Sequence, residues 1–191
     1  MAAMGVAAAP GWRSTLQEEP LLARIENLET YLRETPPRHD HERMLLLWAS
    51  TRLPGLLDEQ RRRELVDIIW RQQRDDGGWS TRTFATPEAL GSGKRSEELR
   101  AEPDYQNPPS DGYQTGLAVV VLRDAGTAAD DPRIRKAIRW LLSNQRESGR
   151  WWTRSLNTHS RFHYISYSGT AYAALALAKC GALAETSDFG D

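Results

Sequence analysis

Two segments of the chain end on the same spacing of residues, and this repetition constrains the fold more than any other feature. Residues 136–151 read Lys-Ala-Ile-Arg-Trp-Leu-Leu-Ser-Asn-Gln-Arg-Glu-Ser-Gly-Arg-Trp, and residues 65–79 close on the same order of Gln, three residues, Gly, one residue and Trp. The two endings lie 72 positions apart, and self-similarity at a fixed period is typical of repeat folds. Their defining residues are Gln73, Gly77 and Trp79 in the first copy and Gln145, Gly149 and Trp151 in the second.

Each ending follows an apolar stripe of the kind that buries one face of a helix. After Asp131, a suitable N-cap, apolar residues recur at the i, i+3, i+4, i+7 spacing of an amphipathic helix. A Gly after the helix lets the chain turn through the left-handed region. The Trp can then fold back over the last turn, while the Gln amide can bond backbone groups that the helix end leaves unpaired. We therefore expect a tight corner at each ending.

Two kinds of helix alternate along the chain. A helix with one apolar stripe lies on a surface, whereas a helix that is apolar on all sides is sandwiched between others. The sequence therefore predicts an all-α fold of about three outer/inner helical hairpins, the build of an α/α toroid segment. Val119–Val121 could by itself form a strand, but its alignment with an Ala-rich segment favours a helix. The one-sided helices are expected at 21–32, 60–73 and 132–145, and the all-apolar ones at 44–49, 115–122 and 170–184.

The second ending, which begins with Lys136-Ala and contains Trp140, resembles the Gln-Trp repeat of squalene-hopene and oxidosqualene cyclases. Protein prenyltransferase β-subunits share this repeat in weaker form. Residues 136–151 fit it at every specified position and residues 65–79 fit in part, so the resemblance covers roughly residues 20–182. It implies a terpene cyclase-like isomerase whose apolar central cavity holds an isoprenoid or other lipid. Because these families close their ring with about twice as many hairpins, it also implies an incomplete or half ring here.

The repeat domain is expected at residues 20–184, between disordered ends at 1–19 and 185–191. The linker from Gln73 to Thr115 spans 42 positions, against 25 from Gln145 to Thr170, so the first linker carries about 17 extra residues. Pro, Gly and charged residues dominate this insertion at 80–110. We expect it to be a mobile excursion that could act as a lid.

Polar clusters precede each of the three predicted inner helices. Helix N-termini offer unpaired amides and partial positive charge, and in a toroid the three would converge at one end of the ring. The candidate catalytic residues there are Asp111, His41 and Asp40. Capping is the alternative interpretation of Asp40, Asp111 and either Ser166 or Ser168. The candidate cavity residues are Tyr113, Gln114, Trp48, His163, Tyr164 and Tyr167.

The acid chemistry of the cyclases is only partly represented. In squalene-hopene cyclases the proton donor is an Asp-x-Asp-Asp immediately before the Thr-Ala that opens an inner helix. Laying that Thr on Thr115 places the three acids on Asp111, Tyr113 and Gln114, so only the first is present. Protonating an alkene needs an acid made unusually strong by its neighbours. The sequence therefore does not support cyclisation by that mechanism, and enzymatic activity stays open.

Composition narrows the possible partners. The formal charge is −1, with 25 basic and 26 acidic residues, which argues against a nucleic acid or an anionic membrane as the partner. Cys180 is the single cysteine, which excludes an internal disulfide framework. It is not preceded by the Asp-x pattern of the prenyltransferase zinc site, so neither a metal nor a cofactor is expected. No apolar run approaches the eighteen residues of a transmembrane helix. Soluble, cytoplasmic and membrane-peripheral locations all stay open.

Three functions fit these features. The first is a cyclase-like domain that holds an isoprenoid, and the second is a non-catalytic toroid module that binds a lipid or a protein. The third is a carbohydrate-active toroid, since some pectate lyases resemble this arrangement and Asp75-Asp76 could hold a cation before the Gly-Gly-Trp turn. Three hairpins would also leave apolar inner-helix surface uncovered. We expect that surface to meet either a second copy of the chain or the remainder of a longer toroid.

Overall fold

A computed structural model describes residues 4–5, 11, 15–90, 93–154, 156 and 165–183. Within this part of the chain the assigned elements are eight α-helices and one short 3-10 helix, with no strand, which confirms the predicted all-α class. The chain forms two compact units, Met1–Arg71 and Gln72–Asp191. The predicted tail at 185–191 and most of the predicted N-terminal segment at 1–19 lie outside the described residues.

In the described part of the first unit the assigned helices are α1 (Glu19–Glu34), α2 (Asp40–Ser50) and α3 (Glu59–Arg71). The first helix ends before Pro36, as the sequence predicts. The N-cap of α2 is His39, whose Nδ1 accepts a hydrogen bond from the Glu42 amide at 3.3 Å. The expectation that Asp40 caps this helix was therefore wrong, because Asp40 is its first helical residue and pairs with Arg43 instead.

The residues described in the second unit form a 3-10 turn and five α-helices. Its longer helices begin and end for reasons that the sequence contains: Asp131 caps α7 by accepting from the Arg133 amide at 2.8 Å, and Gly181, at φ 65°, follows the end of α8. The elements are the 3-10 turn Thr81–Thr83, α4 (Pro87–Leu90), α5 (Lys94–Arg100), α6 (Gly112–Asp124), α7 (Pro132–Ser143) and α8 (Ser166–Lys179).

The two all-apolar helices of this unit differ in burial. In α6 every residue from Gln114 to Leu122 is buried, so the β-branched run at Val119–Val121 is helical and sandwiched as predicted. In α8 only one face is buried, while Tyr167 is 90% exposed and Leu175 40%. The prediction that this last helix is sandwiched was therefore wrong. The N-cap of α8 is Ile165, so neither Ser166 nor Ser168, which lie within the helix, caps it.

The first corner, residues 73–79, is closed by the side chain of its Gln. Gln73 donates from Nε2 to the Gly77 carbonyl at 2.9 Å, and Gly77 has a φ of 96°. The Arg74 amide donates to the Gly78 carbonyl, and the Gly77 amide donates to the Arg74 carbonyl, both at 2.9 Å. The Gln therefore bonds the turn itself, whereas the sequence suggested the carbonyls at the helix end.

The second corner, residues 145–151, repeats this geometry 72 positions later. Gln145 donates to the Gly149 carbonyl at 3.0 Å, and Gly149 has a φ of 74°. The Arg146 amide donates to the Arg150 carbonyl at 3.0 Å, and the Gly149 amide to the Arg146 carbonyl at 2.8 Å. The sequence repeat thus corresponds to a repeat of backbone hydrogen bonds.

Each corner Trp is bonded to the helix that follows it. The Trp79 amide donates to Thr115 Oγ1 at 3.0 Å, and the Trp151 amide donates to Thr170 Oγ1 at 3.3 Å. Both indoles are buried, and Trp151 donates from Nε1 to the Leu141 carbonyl at 2.8 Å. This second indole folds back over the last turn of α7, as the corner hypothesis requires.

The first corner packs against α7, the helix that opens the second repeat. Gln73 Nε2 donates to the Arg133 carbonyl at 3.0 Å, and Trp140 Nε1 donates to Asp76 Oδ2 at 3.0 Å. A Cβ atom on Gly77 would lie 2.6 Å from Lys136 Cγ. Lys136 and Trp140 of the second copy therefore contact the first corner, and Lys136 can approach it this closely because Gly77 has no side chain.

The insertion at 80–110 is packed against the rest of its unit. Phe84 and Leu99 are buried, and Arg95 donates to the Leu156 carbonyl at 3.2 Å. The insertion also contributes two members of the triad formed by Arg82, Glu102 and Arg154, in which the Glu102 side chain is 7% exposed and pairs with both guanidinium groups. This ion triad ties the insertion to Arg154, which lies three residues after the second corner.

We predict that Gly77→Ala destabilises the protein more than Gly149→Ala. Both place a methyl group on left-handed backbone, at a cost of about 1 kcal/mol. Only the first also forces the methyl into Lys136, which adds roughly 1–3 kcal/mol of overpacking. Urea unfolding of the two variants measures the difference, and equal losses would show that the corner does not pack on α7 in this way.

We predict that Glu102→Gln loosens the insertion and removes part of the acid sensitivity of folding. Burial alone would raise the pKa of Glu102, but hydrogen bonds from Arg154 and Arg82 outweigh it and hold the pKa below its ordinary value. The stabilisation, roughly 2 kcal/mol, is therefore complete above about pH 4.3 and is lost as pH falls towards the folded-state pKa. The gap in unfolding free energy between wild type and variant should be wide at pH 7 and narrow at pH 3. A gap that does not depend on pH contradicts the triad.

Candidate functional site

Asp111, the first candidate acid, is a half-buried residue that caps the N-terminus of α6. Its Oδ1 accepts from the Gln114 amide at 2.8 Å and from Thr153 Oγ1 at 3.1 Å. Its Oδ2 accepts from the Thr81 amide at 2.6 Å. Both oxygens are thus engaged with the protein. This is the geometry of an N-cap that also bonds two other segments, in agreement with the capping interpretation.

The two segments that Asp111 joins are equivalent positions of the repeat. Thr81 and Thr153 each lie two residues after a corner Trp, 72 positions apart. Thr153 also accepts the Tyr113 amide at 2.9 Å, while its carbonyl accepts the Ile165 amide at 2.8 Å. Asp111 therefore connects the continuations of both corners to the start of α6. Nothing in the local sequence around either Thr indicates this role.

The hydrogen bonding of Asp111 does not favour a role as proton donor. Burial raises the pKa of its carboxyl, against the opposing effect of the hydrogen bonds from Gln114, Thr81 and Thr153. A donor that protonates an alkene must also present its proton on a free edge towards the substrate. Both oxygens of Asp111 accept hydrogen bonds from the protein instead.

Tyr113 and Gln114, which stand where the cyclase motif has its other acids, also lie in the packed start of α6. Gln114 is fully buried. The Tyr113 ring meets the Tyr172 ring of α8 edge to face, with centroids 5.3 Å apart. Burial, together with Tyr172 and Asp111, raises the pKa of Tyr113 to about 12, so its hydroxyl stays protonated at physiological pH. Tyr113 therefore packs α6 against α8, and Gln114 is part of the buried core of the unit.

The other two candidate acid–base residues belong to the first unit. Asp40 pairs with Arg43 at 2.6 Å, one turn along α2. The His41 ring lies 6.3 Å from that of His39. Among the described residues there is no group of three or more His, Cys, Asp or Glu side chains arranged to hold a metal ion.

A groove of about 500 Å³ opens between α1 and α2 in the first unit. Trp48, one of the predicted cavity residues, lines it and is 8% exposed. The Pro36-Pro37 connection keeps the two helices from continuing as one and contributes to the wall. Most of the lining is apolar, and the volume falls in the range of roughly 300–1,000 Å³ typical of ligand sites. The lining residues are Met4, Tyr31, Leu32, Thr35, Pro36, Pro37, Arg38, Glu42, Leu45, Leu46, Trp48 and Ala49.

The charged groups of this groove neutralise each other. Arg38 donates from Nε and an Nη atom to Glu42 Oε1 at 3.0 and 2.6 Å, and its amide donates to Oε2 at 2.7 Å. The hydrogen bond from Arg38 is the largest effect on Glu42 and lowers its pKa to about 2, so both groups stay ionised at neutral pH. The i, i+4 spacing of the pair is visible in the sequence, but its place beside an apolar groove is not.

Tyr113, Gln114 and Tyr167, the other predicted cavity residues in the described part of the chain, are not among the lining residues of this groove. Tyr167 is on the surface of α8, beside a separate cleft of about 350 Å³ that it lines with Arg150, Ser166, Thr170 and Ala171. His163 and Tyr164 lie outside the described residues. Leu45, Leu46 and Ala49, which sequence reasoning treated only as helix core, line the groove instead. The sequence feature that could have indicated them is that residues 44–49 of α2 are apolar on every side of the helix.

Comparisons of the chain with protein-family models, with curated proteins and with solved structures find no match. The resemblance to the Gln-Trp repeat families therefore rests only on the sequence motif of residues 65–79 and 136–151. No helix in the described part of the chain is both long enough and apolar enough to cross a membrane.

We predict that Asp111→Ala destabilises the protein about three times as much as Asp131→Ala. Asp131 is a solvent-accessible cap of α7, worth about 1 kcal/mol. Asp111→Ala removes a cap and also deprives the Thr81 amide and the Thr153 hydroxyl of their acceptor in a buried setting, for a total of about 3 kcal/mol. Chemical unfolding of both variants measures the ratio.

Equal losses for the two caps would contradict the linking role of Asp111. Circular dichroism before unfolding establishes that each variant starts from the helical state.

Proposed function

We propose that the chain is a non-catalytic repeat module that binds a neutral isoprenoid or similar lipid chain in the groove between α1 and α2. The observation that carries this proposal is the groove itself, with its apolar lining and about 500 Å³ of space. Burial of an apolar chain there is favoured at about 25 cal/mol per Å² of apolar surface removed from water. The resemblance to the terpene cyclase repeat points to the same class of ligand.

The charges at the groove favour a neutral ligand over an isoprenoid diphosphate. Arg38 is the cation among the lining residues, and three hydrogen bonds commit it to Glu42. A diphosphate would have to compete with that carboxylate and would meet its negative charge. An alcohol or hydrocarbon end avoids this cost.

Acid-catalysed cyclisation is the weaker candidate. It would rely on Asp111, whose pKa is raised by burial and whose oxygens accept three hydrogen bonds from the protein. Trp48 supports the binding reading, because a buried aromatic wall stabilises an apolar chain without any acid.

A carbohydrate-active function has less support than lipid binding. It would need a cation at Asp75-Asp76, yet Asp76 already accepts from the Gly78 amide at 2.9 Å, from Ser110 Oγ at 2.8 Å and from Trp140 Nε1 at 3.0 Å. Its carboxylate is used to hold the first corner to Ser110 and to Trp140 of α7.

We predict that farnesol binds the purified chain and that Leu45→Glu weakens this binding at least about tenfold. Leu45 lines the groove, so a carboxylate at this position places a charge against the apolar chain. Farnesyl diphosphate should bind more weakly than farnesol because Glu42 offsets Arg38. Isothermal titration calorimetry with the two ligands measures both effects.

The matched control is Leu142→Glu, which makes the same change on the exposed surface of α7 and should leave farnesol binding unchanged. Tighter binding of the diphosphate, or equal effects of the two substitutions, would argue against the groove as a site for a neutral chain. Release of unsaturated sugars in the presence of calcium would select the carbohydrate function instead.

A further inference from the structure

Basic residues are concentrated in one stretch of the second unit. Residues 132–154, which comprise α7, the second corner and the three residues after it, contain seven basic residues and one acidic residue, Glu147. The whole chain nevertheless has a formal charge of −1. The near-neutral total, which by itself argues against an anionic partner, therefore averages a basic stretch and an acidic remainder.

Helical spacing places two of these cations beside an exposed leucine. One face of α7 is buried in the unit. Arg135, Arg139 and Leu142 lie side by side outside that face, because residues three or four positions apart are neighbours on a helix. All three are exposed, and Leu142 is 49% exposed although it is aliphatic.

The second corner extends this surface beyond the end of α7. The Cζ atom of Arg146 lies 3.4 Å from the centroid of the Trp152 ring, and Trp152 is 45% exposed. The Arg146 amide donates to the Arg150 carbonyl at 3.0 Å, so both cations belong to the same turn. We call the exposed residues of α7 and the corner the basic surface, which consists of Arg135, Arg139, Leu142, Arg146, Arg150 and Trp152.

The arginines of the basic surface keep their charges available to a partner. In the part of the chain that the structure describes, the ion pairs of residues 132–154 are those of Arg133 with Asp131 and of Arg154 with Glu102. The four arginines of the basic surface are in neither pair. Glu147 is exposed among them and offsets only part of their charge.

We propose that the basic surface docks the chain on a membrane that contains anionic phospholipids. Arginine side chains near such a membrane are attracted by its negative surface potential, and their guanidinium groups match the geometry of lipid phosphates. Leu142 and the indole of Trp152 then enter the boundary between headgroups and acyl chains, where aliphatic and amphipathic aromatic side chains are favoured. The proposal does not depend on lipid binding in the groove, which belongs to the first unit.

The same surface fits a nucleic acid less well. Proteins that bind single strands without sequence preference stack bases on aromatic faces, whereas Arg146 already covers one face of Trp152. Leu142 next to two arginines adds nothing to phosphate contacts, but it loses contact with water when it enters a bilayer interface. These two residues favour the membrane as the anionic partner.

Cosedimentation of the chain with vesicles tests the proposal without any ligand in the groove. We expect binding to vesicles of phosphatidylcholine mixed with phosphatidylserine, little binding to phosphatidylcholine alone, and weaker binding as salt is added. Arg135→Gln combined with Arg139→Gln should lower the partition coefficient roughly 25-fold, at roughly fivefold for each charge. The matched control is Arg24→Gln combined with Arg33→Gln, which removes two exposed arginines from α1 and should have no effect.

A polarity-sensitive fluorophore at position 142 reports the contact independently of affinity. Attached to Leu142→Cys in a Cys180→Ala background, its emission should shift to the blue with phosphatidylserine vesicles, whereas the same label on the exposed Ala23→Cys of α1 should not respond. Equal binding to the two kinds of vesicle, equal losses for the two double variants, or a label at 142 that stays in water would overturn the proposal. Binding of an RNA or DNA probe, abolished by the α7 double variant, in the absence of vesicle binding would also overturn it and assign the surface to nucleic acid.

Discussion

The three hydrogen bonds accepted by Asp111 are the interaction on which the second unit depends. They join the second residue after each corner, Thr81 and Thr153, to the start of α6. Each corner alone is a short turn with one left-handed Gly, and α6 is a largely apolar helix whose few other polar contacts include those of Tyr113, Thr115 and Arg123. The buried carboxylate connects all three, and burial makes any loss of a partner costly. A residue at the position of a catalytic acid thus has a structural role here.

The two corners differ in what covers their glycines. Gly77 of the first corner is covered by α7, a helix with one apolar face. Among the described residues no helix covers Gly149 of the second corner, and Gly149 and one face of α8 are exposed. In the first unit, α1 and α2 enclose an apolar groove. We propose that the chain acts by binding a lipid chain in that groove.

Local features were predictable from the sequence, and long-range ones were not. The Gln, Gly and Trp of each corner act within seven residues of each other, so their spacing sufficed, and the apolar pattern indicated Thr115 and Thr170 as the starts of related helices. The bond from Asp111 to Thr153 spans 42 residues and has no periodic signal. The open face of α8 was missed for a similar reason, because an all-apolar pattern does not tell how many neighbours a helix has. Arg38 and Glu42 were visible as an i, i+4 pair, but the groove beside them depends on how α1 packs on α2.

Amide hydrogen exchange of the second unit is the most direct test of this account. If Asp111 joins the corners to α6, the amides of Thr81, Tyr113 and Gln114 should exchange only through global unfolding, with equal free energies. The amides of Arg146 and Gly149 in the exposed second corner should exchange through smaller, local openings. Exchange of the Thr81 amide as fast as that of Gly149 would contradict the account, because the carboxylate would then not hold the first corner to the rest of the unit.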